Sequence, residues 1–422
     1  MPVSGPGARE DDRRWMSAAL ALAARAVGRV APNPAVGALL VRDGRLLARG
    51  VTAPGGRPHA EAVALADARA RDVSVEGATA YVTLEPCAHH GLTPPCADAL
   101  AAAGIARLVC PLEDPDPRVS GRGFAALRAA GVAVALGVGA EAAAAVNAGF
   151  LARIRRGRPY LTLKLATTLD GRIATASGES RWITGPAARR AVHLMRLRSD
   201  AVLIGAGTAR ADDPALDVRG FGDGASQPLR VVADPRLSLD PAGRLAQSAG
   251  AQPVLLAHLD DPMALGADGE RRAAALTAHG VQLLPCPSSP DAAQRRSTAL
   301  RIADTSATFQ TETAGGDVPA GGSSSAAGAL DLDWMLSALA TRGVGSVLAE
   351  GGGTLAAALL RAQLVDRLVI FGAGLAIGAD GRPAVAGLAL HRLADAPRFR
   401  LVETSVAGAD VMSVWQAENG TG

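Results

Sequence analysis

The chain has 422 residues, of which 49% are hydrophobic and 20% charged, and its formal net charge is +3. This length predicts two or more domains with sizeable cores, and so small a net charge does not indicate a nucleic-acid partner. No apolar run reaches the roughly 18 residues of a membrane span, and residues 1–12 do not resemble a signal peptide. Four cysteines are too few for a disulfide framework, so a reducing cytoplasm is expected.

The first part of the chain predicts alternating helices and strands. Apolar residues at helical spacing follow Asp12, a residue type that caps helices, and Asp43-Gly44 is typical of a tight hairpin turn. In chain order, the pattern predicts a helix from Asp12 to about Gly28, strands at 36–41 and 46–48, a helix starting near His59, a strand at 80–84, a helix at 97–103 and a strand at 106–110. This alternation indicates a βαβ organisation, in which reactive residues lie at strand ends and helix starts.

One histidine and two cysteines of this part have the spacing of a zinc site. His59 and Glu61 begin a predicted helix, Cys87 follows a predicted strand by three residues, and Cys96 stands nine residues further on. His59, Cys87 and Cys96 can hold Zn²⁺ and leave its fourth position to a water. Glu61 need not be a ligand and can transfer protons, which is the layout of zinc deaminases.

Two structural interpretations compete with a catalytic site. His89 or His90 could supply a fourth ligand and close the site around a structural zinc ion. The cysteines could also be buried thiols without a metal, as Cys110 is expected to be at the end of a predicted strand, whereas Cys286 lies in a Pro- and Ser-rich stretch and is expected to be incidental. Neither interpretation gives a reason for Glu61, so the pattern favours the catalytic site.

The second part of the chain carries weaker signals. Lys164 is the only lysine of an arginine-rich chain, and it lies in an apolar strand-like run. This favours a chemical role for Lys164 over its presence by chance. Glycine clusters at 205–207 and 351–353 each follow a predicted strand. Such turns let backbone N–H groups approach a phosphate at a helix start. Neither cluster is a full Gly-x-Gly-x-x-Gly motif, so a Rossmann domain is not supported.

Two segments indicate the domain organisation. Residues 285–328 are rich in Ser, Ala, Gly, Thr and Pro and predict a mobile surface insertion within a domain. The domain boundary is predicted near 146–158. The basic run at 153–158 could contact phosphate, but it is more typical of a solvated linker face.

Long motifs in both parts resemble one enzyme family. Those of the first part resemble the riboflavin-biosynthesis pyrimidine deaminase: Pro-Asn-Pro-Ala-Val-Gly at 32–37, Pro-His-Ala-Glu-Ala at 58–62, Thr-Leu-Glu-Pro-Cys-Ala-His-His-Gly at 83–91, Thr-Pro-Pro-Cys at 93–96 and Asp-Pro-Asp-Pro-Arg-Val-Ser-Gly-Arg-Gly at 114–123. Those of the second part resemble the reductase fused to that deaminase: Leu-Lys-Leu-Ala at 163–166, Leu-Asp-Gly-Arg at 169–172, Ser-Gly-Glu-Ser-Arg-Trp-Ile-Thr at 177–184, Ala-Asp-Asp-Pro-Ala-Leu at 211–216 and Glu-Gly-Gly at 350–352.

This resemblance implies a bifunctional enzyme. It implies a cytidine-deaminase-like three-layer αβα domain at 1–150 and a dihydrofolate-reductase-like α/β domain at 156–422, with the insertion at about 286–328. The first domain would use Zn²⁺ to deaminate 2,5-diamino-6-hydroxy-4-(5-phosphoribosylamino)pyrimidine. The second would use NADPH to reduce the ribosyl group of 5-amino-6-(5-phosphoribosylamino)uracil to ribityl.

The resemblance also implies residue roles. In the first domain, His59, Cys87 and Cys96 would bind zinc, Glu61 would be the general acid and base, and Asn33 would contact the substrate. In the second domain, the cofactor contacts would be Ala166, Trp182, Thr208, Asp212, Gly352, Gly353, Thr354, Leu355, Ala356, Ala357 and Ala358. The substrate contacts there would be Ser180, Arg196, Leu216, Arg219 and Glu350, with Lys164 as a further candidate for a role in reduction.

Two departures and two competing classes bear on this interpretation. Leu92 stands where the family usually has a basic residue, and Asp116 replaces an asparagine. A nucleic-acid base deaminase would need a basic groove with stacking aromatic residues, yet aromatic residues make up only 3% of the chain. A binding protein on a decayed scaffold would not keep Glu61 with three intact ligands. We therefore expect small phosphoribosyl-pyrimidine substrates, no nucleic-acid or membrane partner, and a cytoplasmic homo-oligomer.

Overall fold

The structure is a computed structural model that describes residues 10–88, 94–261, 265–266, 268–289 and 328–418. It divides into two compact units. Unit 1 comprises Met1–Val202, Asp217–Leu229 and Leu336–Gly422, and unit 2 comprises Leu203–Leu216 and Arg230–Met335. Leu92, His89 and His90, which the sequence analysis singled out, lie outside the described residues.

The described helices and strands alternate along the chain. In order they are α1 (Glu10–Ala23), β1 (Gly37–Arg42), β2 (Arg45–Val51), α2 (Ala60–Ala70), β3 (Thr79–Val82), α3 (Cys96–Ala102), β4 (Arg107–Cys110), α4 (Arg122–Ala129), β5 (Ala133–Leu136), α5 (Ala140–Val146), α6 (Ala148–Arg156), β6 (Tyr160–Thr168), β7 (Arg172–Ala174), α7 (Pro186–Leu197), β8 (Ala201–Gly205), α8 (Ala206–Asp212), β9 (Leu229–Ala233), α9 (Arg244–Gln247), β10 (Val254–Leu259), α10 (Gly269–Ala278), β11 (Gln282–Cys286), α11 (Leu332–Thr341), β12 (Ser346–Ala349), α12 (Gly353–Arg361), β13 (Arg367–Ala373), β14 (Arg382–Pro383), β15 (Phe399–Ala407) and β16 (Asp410–Ala417). Short 3₁₀ helices lie at Pro54–Gly56 and Leu393–Asp395.

The first part of unit 1 contains a mixed five-stranded sheet in the order β2-β1-β3-β4-β5. Strand β1 is antiparallel to β2 and β3, whereas β3, β4 and β5 are parallel to one another. The predicted hairpin joins β1 to β2, where Asp43 (φ 52°) and Gly44 (φ 69°) both have positive φ. A two-residue type I′ turn requires this conformation at both of its central positions.

Helices cover both faces of this sheet and produce the predicted three layers. Helices α1 and α5 share a core with β1, β3 and β4 on one face, and α2, α3 and α4 pack on the other. Successive strand residues serve opposite faces, so Tyr81 belongs to the first core and Val82 to the second.

Asp12 differs from its predicted role as a helix cap. It lies in the first turn of α1, where its carboxylate is buried. The carboxylate accepts hydrogen bonds from Tyr81 Oη at 2.9 Å and from both terminal nitrogens of Arg107 at 2.8 Å. Asp12 therefore ties α1 to the sheet.

The second part of unit 1 contains strands in the order β12-β6-β13-β16-β15. The first three are parallel, and β16 and β15 extend them in antiparallel pairing. Helix α7 packs on β13 and β16 through a core that includes Val192, Phe371 and Val414. Strand β12 is the strand that the sequence predicts before the glycine cluster at 351–353.

Unit 2 is built on parallel strands. Strand β10 lies between β9 and β11 and is parallel to both. All six residues of β10 are buried, which explains why five of them are apolar instead of alternating with polar residues.

The basic run at 153–158 is not the solvated linker face that the sequence predicts. Arg156 and Arg158 both form ion pairs with the buried carboxylate of Asp366, at 2.7 and 2.9 Å. The same carboxylate accepts the backbone N–H of Leu161 at 2.7 Å. The run therefore joins α6 to the strands of the second part, through a partner about 210 residues away.

The flanks of the predicted insertion lie side by side in unit 2. Its first residue, Cys286, is the buried last residue of β11. Ser288 pairs with Leu330 in an isolated antiparallel bridge, and the Ser289 N–H donates to the Ala329 carbonyl at 2.6 Å. Residues 290–327 of the insertion lie outside the described residues.

Because these flanks already meet, deletion of residues 290–325 should leave the melting temperature within about 5 °C of the full chain. Loop closure depends only weakly on length, by about 0.6 kcal/mol per doubling, and here the loop becomes shorter. Calorimetry should compare the deletion with a variant in which the order of residues 290–325 is shuffled. A large loss of stability in both variants would show that this segment contains an ordered element.

No helix among the described residues combines the length and the apolar character that crossing a membrane requires.

Candidate active sites

Three separate elements bring the predicted zinc ligands together. His59 immediately precedes α2, Cys87 lies beyond the end of β3, and Cys96 is the first residue of α3. The Nδ1 atom of His59 is 3.7 Å from Cys87 Sγ and 3.4 Å from Cys96 Sγ. Bonds of about 2.0 Å to nitrogen and 2.3 Å to sulfur at tetrahedral angles would place such atoms about 3.5 Å apart. The donor set therefore fits one Zn²⁺ ion, and its ligand atoms all lie within 4.8 Å of one another.

Backbone contacts hold the two cysteines in this arrangement. The Cys96 N–H donates to Cys87 Sγ at 3.3 Å, and the Ala97 N–H donates to the Cys87 carbonyl at 3.2 Å. Both donors belong to the first turn of α3, where backbone N–H groups have no partner within the helix. The first turn of α3 thus holds the segment that carries Cys87 by hydrogen bonds.

The electrostatics of the cluster favour a thiolate at Cys87. Hydrogen bonds from the Cys96 thiol and from His59, together with the Cys96 N–H, lower the pKa of Cys87 to about 4 although burial opposes ionisation. Conversely, the hydrogen bond to Cys87 and burial raise the pKa of Cys96. Zinc binds sulfur as the thiolate, so the cluster holds one ligand already in the binding form.

Glu61 lies beside the cluster, as the sequence predicts. It is in the first turn of α2, and its residue surface is only 4% exposed. Burial raises the pKa of Glu61 to about 7. A carboxyl group with such a pKa can both accept and donate a proton near neutral pH.

The structure also places Asn33 close to the loop that leads to His59. Asn33 packs against Gly56, where a Cβ atom would lie 1.9 Å from Asn33 Nδ2. Gly56 has φ +84°, so both its conformation and its lack of a side chain allow this approach. The contact joins the Pro32–Pro34 turn to the segment that precedes α2.

The predicted reductase residues Lys164, Arg196 and Glu350 form a charged group within unit 1. The Arg196 guanidinium forms a two-point ion pair with Glu350, with Nε–Oε1 at 2.6 Å and Nη2–Oε2 at 3.0 Å. Burial opposes ionisation of Glu350, but Arg196 and Lys164 together lower its pKa. Burial lowers the pKa of Lys164, against the opposite effect of Glu350.

The other predicted residues of unit 1 lie in loops, in β6 and at the start of α12. Trp182 is 68% exposed, and the Arg189 guanidinium lies 4.4 Å from the centre of its ring. Arg219 is exposed and forms an ion pair with Asp217 at 3.3 Å. Ala166 lies in β6, Ser180 lies between β7 and α7, and Gly352 to Ala358 form the N-cap and first turns of α12.

Three predicted contacts belong to unit 2. Thr208 and Asp212 lie four residues apart on α8, so they project from the same face of that helix. Leu216 is buried and has φ 55°, a conformation that is uncommon for a branched side chain.

Sequence reasoning missed two acidic residues that contact the predicted sites. Glu85, two residues before Cys87, is buried, and its carboxylate accepts several backbone N–H groups. Asp217 offers its backbone carbonyl to Arg196 Nη1 at 3.0 Å. Glu85 stands inside the quoted motif at 83–91, which was the one available signal, but its partners lie far along the chain.

Two family models match the chain. The model described as the cytidine and deoxycytidylate deaminase zinc-binding region matches residues 9–112, and the model described as the RibD C-terminal domain matches 159–265 and 291–413. Fold and sites thus define a zinc-binding deaminase domain fused to a RibD-type reductase domain.

Relatives match the chain over almost its whole length. The riboflavin biosynthesis protein RibD of Escherichia coli is 38% identical over 411 residues, which are 95% of this chain and 98% of that protein. The solved structure of Acinetobacter baumannii RibD has a TM-score of 0.77 and 32% identity and covers 97% of this chain and 99% of its own. A diaminohydroxyphosphoribosylaminopyrimidine deaminase/5-amino-6-(5-phosphoribosylamino)uracil reductase from Thermotoga maritima has a TM-score of 0.76 and 30% identity, with coverage of 96% and 99%. The chain belongs to the riboflavin biosynthesis protein RibD family, which confirms the predicted family and fold class.

Proposed function

We infer that this chain is a bifunctional enzyme of riboflavin biosynthesis that uses Zn²⁺ and NADPH. It deaminates 2,5-diamino-6-hydroxy-4-(5-phosphoribosylamino)pyrimidine and then reduces the ribosyl group of 5-amino-6-(5-phosphoribosylamino)uracil to ribityl. The observation that carries this conclusion is the group of His59, Cys87 and Cys96 within 4.8 Å, with buried Glu61 beside it, in a chain of which 95% matches a RibD protein.

For the deaminase we propose that His59, Cys87 and Cys96 hold the zinc ion. When bound, Zn²⁺ lowers the pKa of a water and so makes it a nucleophile near neutral pH. Glu61 would accept the two protons of the attacking water in turn and pass one to the ring nitrogen and one to the departing ammonia, which its pKa of about 7 supports. Asn33, held against Gly56, orients the pyrimidine.

For the reductase we propose cofactor and substrate contacts on separate groups of residues. NADPH supplies the hydride. The first turns of α12, from Gly352 to Ala358, receive its phosphates, because glycines at this turn let backbone N–H groups come close. We assign the remaining cofactor contacts to Ala166, Trp182, Thr208 and Asp212.

The substrate contacts of the reductase centre on the Arg196–Glu350 ion pair. A guanidinium held at two points by Glu350 presents its remaining N–H donors in a fixed direction, which suits a phosphate or a ribose oxygen. Ser180, Leu216 and Arg219 complete the proposed set. Lys164 interacts electrostatically with both members of the pair and is our candidate for orienting the ribose oxygen that is protonated during reduction.

We propose that the domain boundary lies at 150–156, that the enzyme acts in the cytoplasm, and that it is a homo-oligomer. The exposed edge strand β15 supports the last point. Leu401, Val402 and Val406 of this strand are 47%, 49% and 79% exposed, so the strand presents apolar side chains to the solvent at the edge of its sheet. Exposed apolar edge strands mark protein contacts, and a second copy of the chain would cover this one. Analytical ultracentrifugation measures this state directly.

Incubation of the purified protein with the pyrimidine substrate, with and without NADPH, tests the proposed function. Without NADPH we expect release of ammonia and a product whose mass shows one amino group replaced by oxygen. With NADPH we expect that product to gain two hydrogens while NADPH is oxidised. A single-stranded oligonucleotide should remain unchanged. Deamination of the oligonucleotide, or absence of both reactions in zinc-loaded protein, would contradict the proposal.

A further inference from the structure

A buried carboxylate directly precedes the segment that carries Cys87. Glu85 is 4% exposed, and both of its oxygens accept backbone N–H groups. Oε1 accepts from Gly123 at 2.9 Å and Phe124 at 3.3 Å. Oε2 accepts from Gly121 at 3.0 Å and Asp114 at 3.1 Å. Four donors thus converge on one side chain.

Three of these four donors belong to the start of α4. Gly121 is its N-cap residue, with φ 74°, and it has no side chain with which to cap the helix. Glu85 takes that role from 36 residues earlier in the chain and places a negative charge at the positive end of the helix dipole. The carboxylate therefore bonds strongly to α4, because charge-assisted hydrogen bonds are stronger than neutral ones.

A second contact joins α4 to the same segment. At Gly123 a Cβ atom would lie 2.0 Å from the Pro86 carbonyl oxygen, so the first turn of α4 lies directly against the Pro86–Cys87 peptide. The Glu85 N–H also donates to the Leu112 carbonyl at 3.1 Å. The backbone on the N-terminal side of Cys87 is therefore held from two directions.

We propose that Glu85 is a positioning residue for the metal ligand Cys87. By capping α4, its carboxylate fixes the backbone from which Cys87 Sγ reaches to 3.7 Å from His59 Nδ1. This inference rests on the metal site proposed above. Groups that orient metal ligands from outside the ligand set typically change metal affinity or activity by about 10–100-fold when they are removed.

The test is zinc release from the full-length holoprotein of Glu85→Gln. Glutamine keeps the shape, but its amide NH₂ faces N–H donors, so one pair of hydrogen bonds is lost. At a temperature where circular dichroism shows folded protein, we expect zinc to pass to a chelator about 10-fold faster or more. We also expect kcat for deamination to fall more than KM changes, and added zinc to restore part of kcat.

Asp12→Asn is the matched control. Asp12 is another buried carboxylate of the same domain that accepts several hydrogen bonds, but it belongs to α1, which lies on the sheet face opposite α2, α3 and α4. Loss of the Asp12 charge should lower the stability of the protein and leave the rate of zinc release unchanged. Glu85→Asp, which keeps the charge but shortens the reach, should release zinc at an intermediate rate and carries the test if the glutamine variant does not fold.

The outcomes separate this inference from the proposed function. Wild-type protein that holds no zinc would refute the metal site itself. Wild-type protein that holds zinc, with folded Glu85→Gln that matches it in zinc release and kcat, would refute the role of Glu85 alone. Failure of both Glu85 variants to fold while Asp12→Asn folds would assign Glu85 to the stability of the domain and overturn the positioning role.

Discussion

Glu61→Gln is expected to lower the rate of deamination by about 10²–10⁴-fold while zinc remains bound. Glutamine keeps the size and hydrogen bonds of glutamate but cannot transfer a proton. In the structure Glu61 is buried beside the three ligand atoms without being one of them, and burial raises its pKa to about 7. Ammonia release measured by a coupled assay, with zinc content measured on the same sample, gives both readouts.

The controls for Glu61→Gln come from the same chain. Glu141→Gln changes an exposed acid of α5 and should deaminate normally. Reduction of substrate supplied in deaminated form should proceed at the wild-type rate in Glu61→Gln, because the reductase residues lie in the other half of the sequence. Loss of zinc from Glu61→Gln would contradict the assignment, since it would make Glu61 a ligand or a structural support of the site.

Lys164→Arg is expected to slow reduction by about 10²-fold although it keeps the positive charge. An ammonium is a compact donor on a flexible stem, whereas a guanidinium is larger, planar and does not lose its proton. Lys164 lies in β6 opposite Val369 of β13, and burial lowers its pKa. A bulkier group there would be displaced from the position that we propose for the ribose oxygen. NADPH oxidation with pre-deaminated substrate measures the effect.

A structural role for Lys164 predicts a different result. If the lysine mainly balances the charge of Glu350, its replacement should destabilise the protein, and Lys164→Met should do so more than Lys164→Arg. Thr162→Val, two residues earlier on the same face of β6, reports on disturbance of the strand alone. A stable but slow arginine variant supports a chemical role for Lys164, and an unstable one supports a structural role. An arginine variant with normal rate and stability would show that Lys164 has neither role.

The features that the sequence determined by itself are those that depend on neighbouring residues or on unusual residue types. The Asp43-Gly44 turn forms as predicted because positive φ at both positions is a local preference of these residues. His59, Cys87 and Cys96 meet because each stands at the end of a strand or the start of a helix, and α/β folds gather such positions at one edge. The lone lysine and the glycine turn before α12 could be predicted because each is an unusual residue type or a local cluster in the sequence.

The roles of several buried charges were decided only by the tertiary structure. Asp12 pairs with Arg107 across 95 residues, Asp366 pairs with Arg156 across 210, and Glu85 caps a helix that begins 37 residues after it. No local sequence pattern predicts such pairs, because a charged residue in a helix or loop is ordinarily expected to be solvated. Burial changes this: a buried charge must find a partner, and which donors are within reach depends on how the whole chain packs.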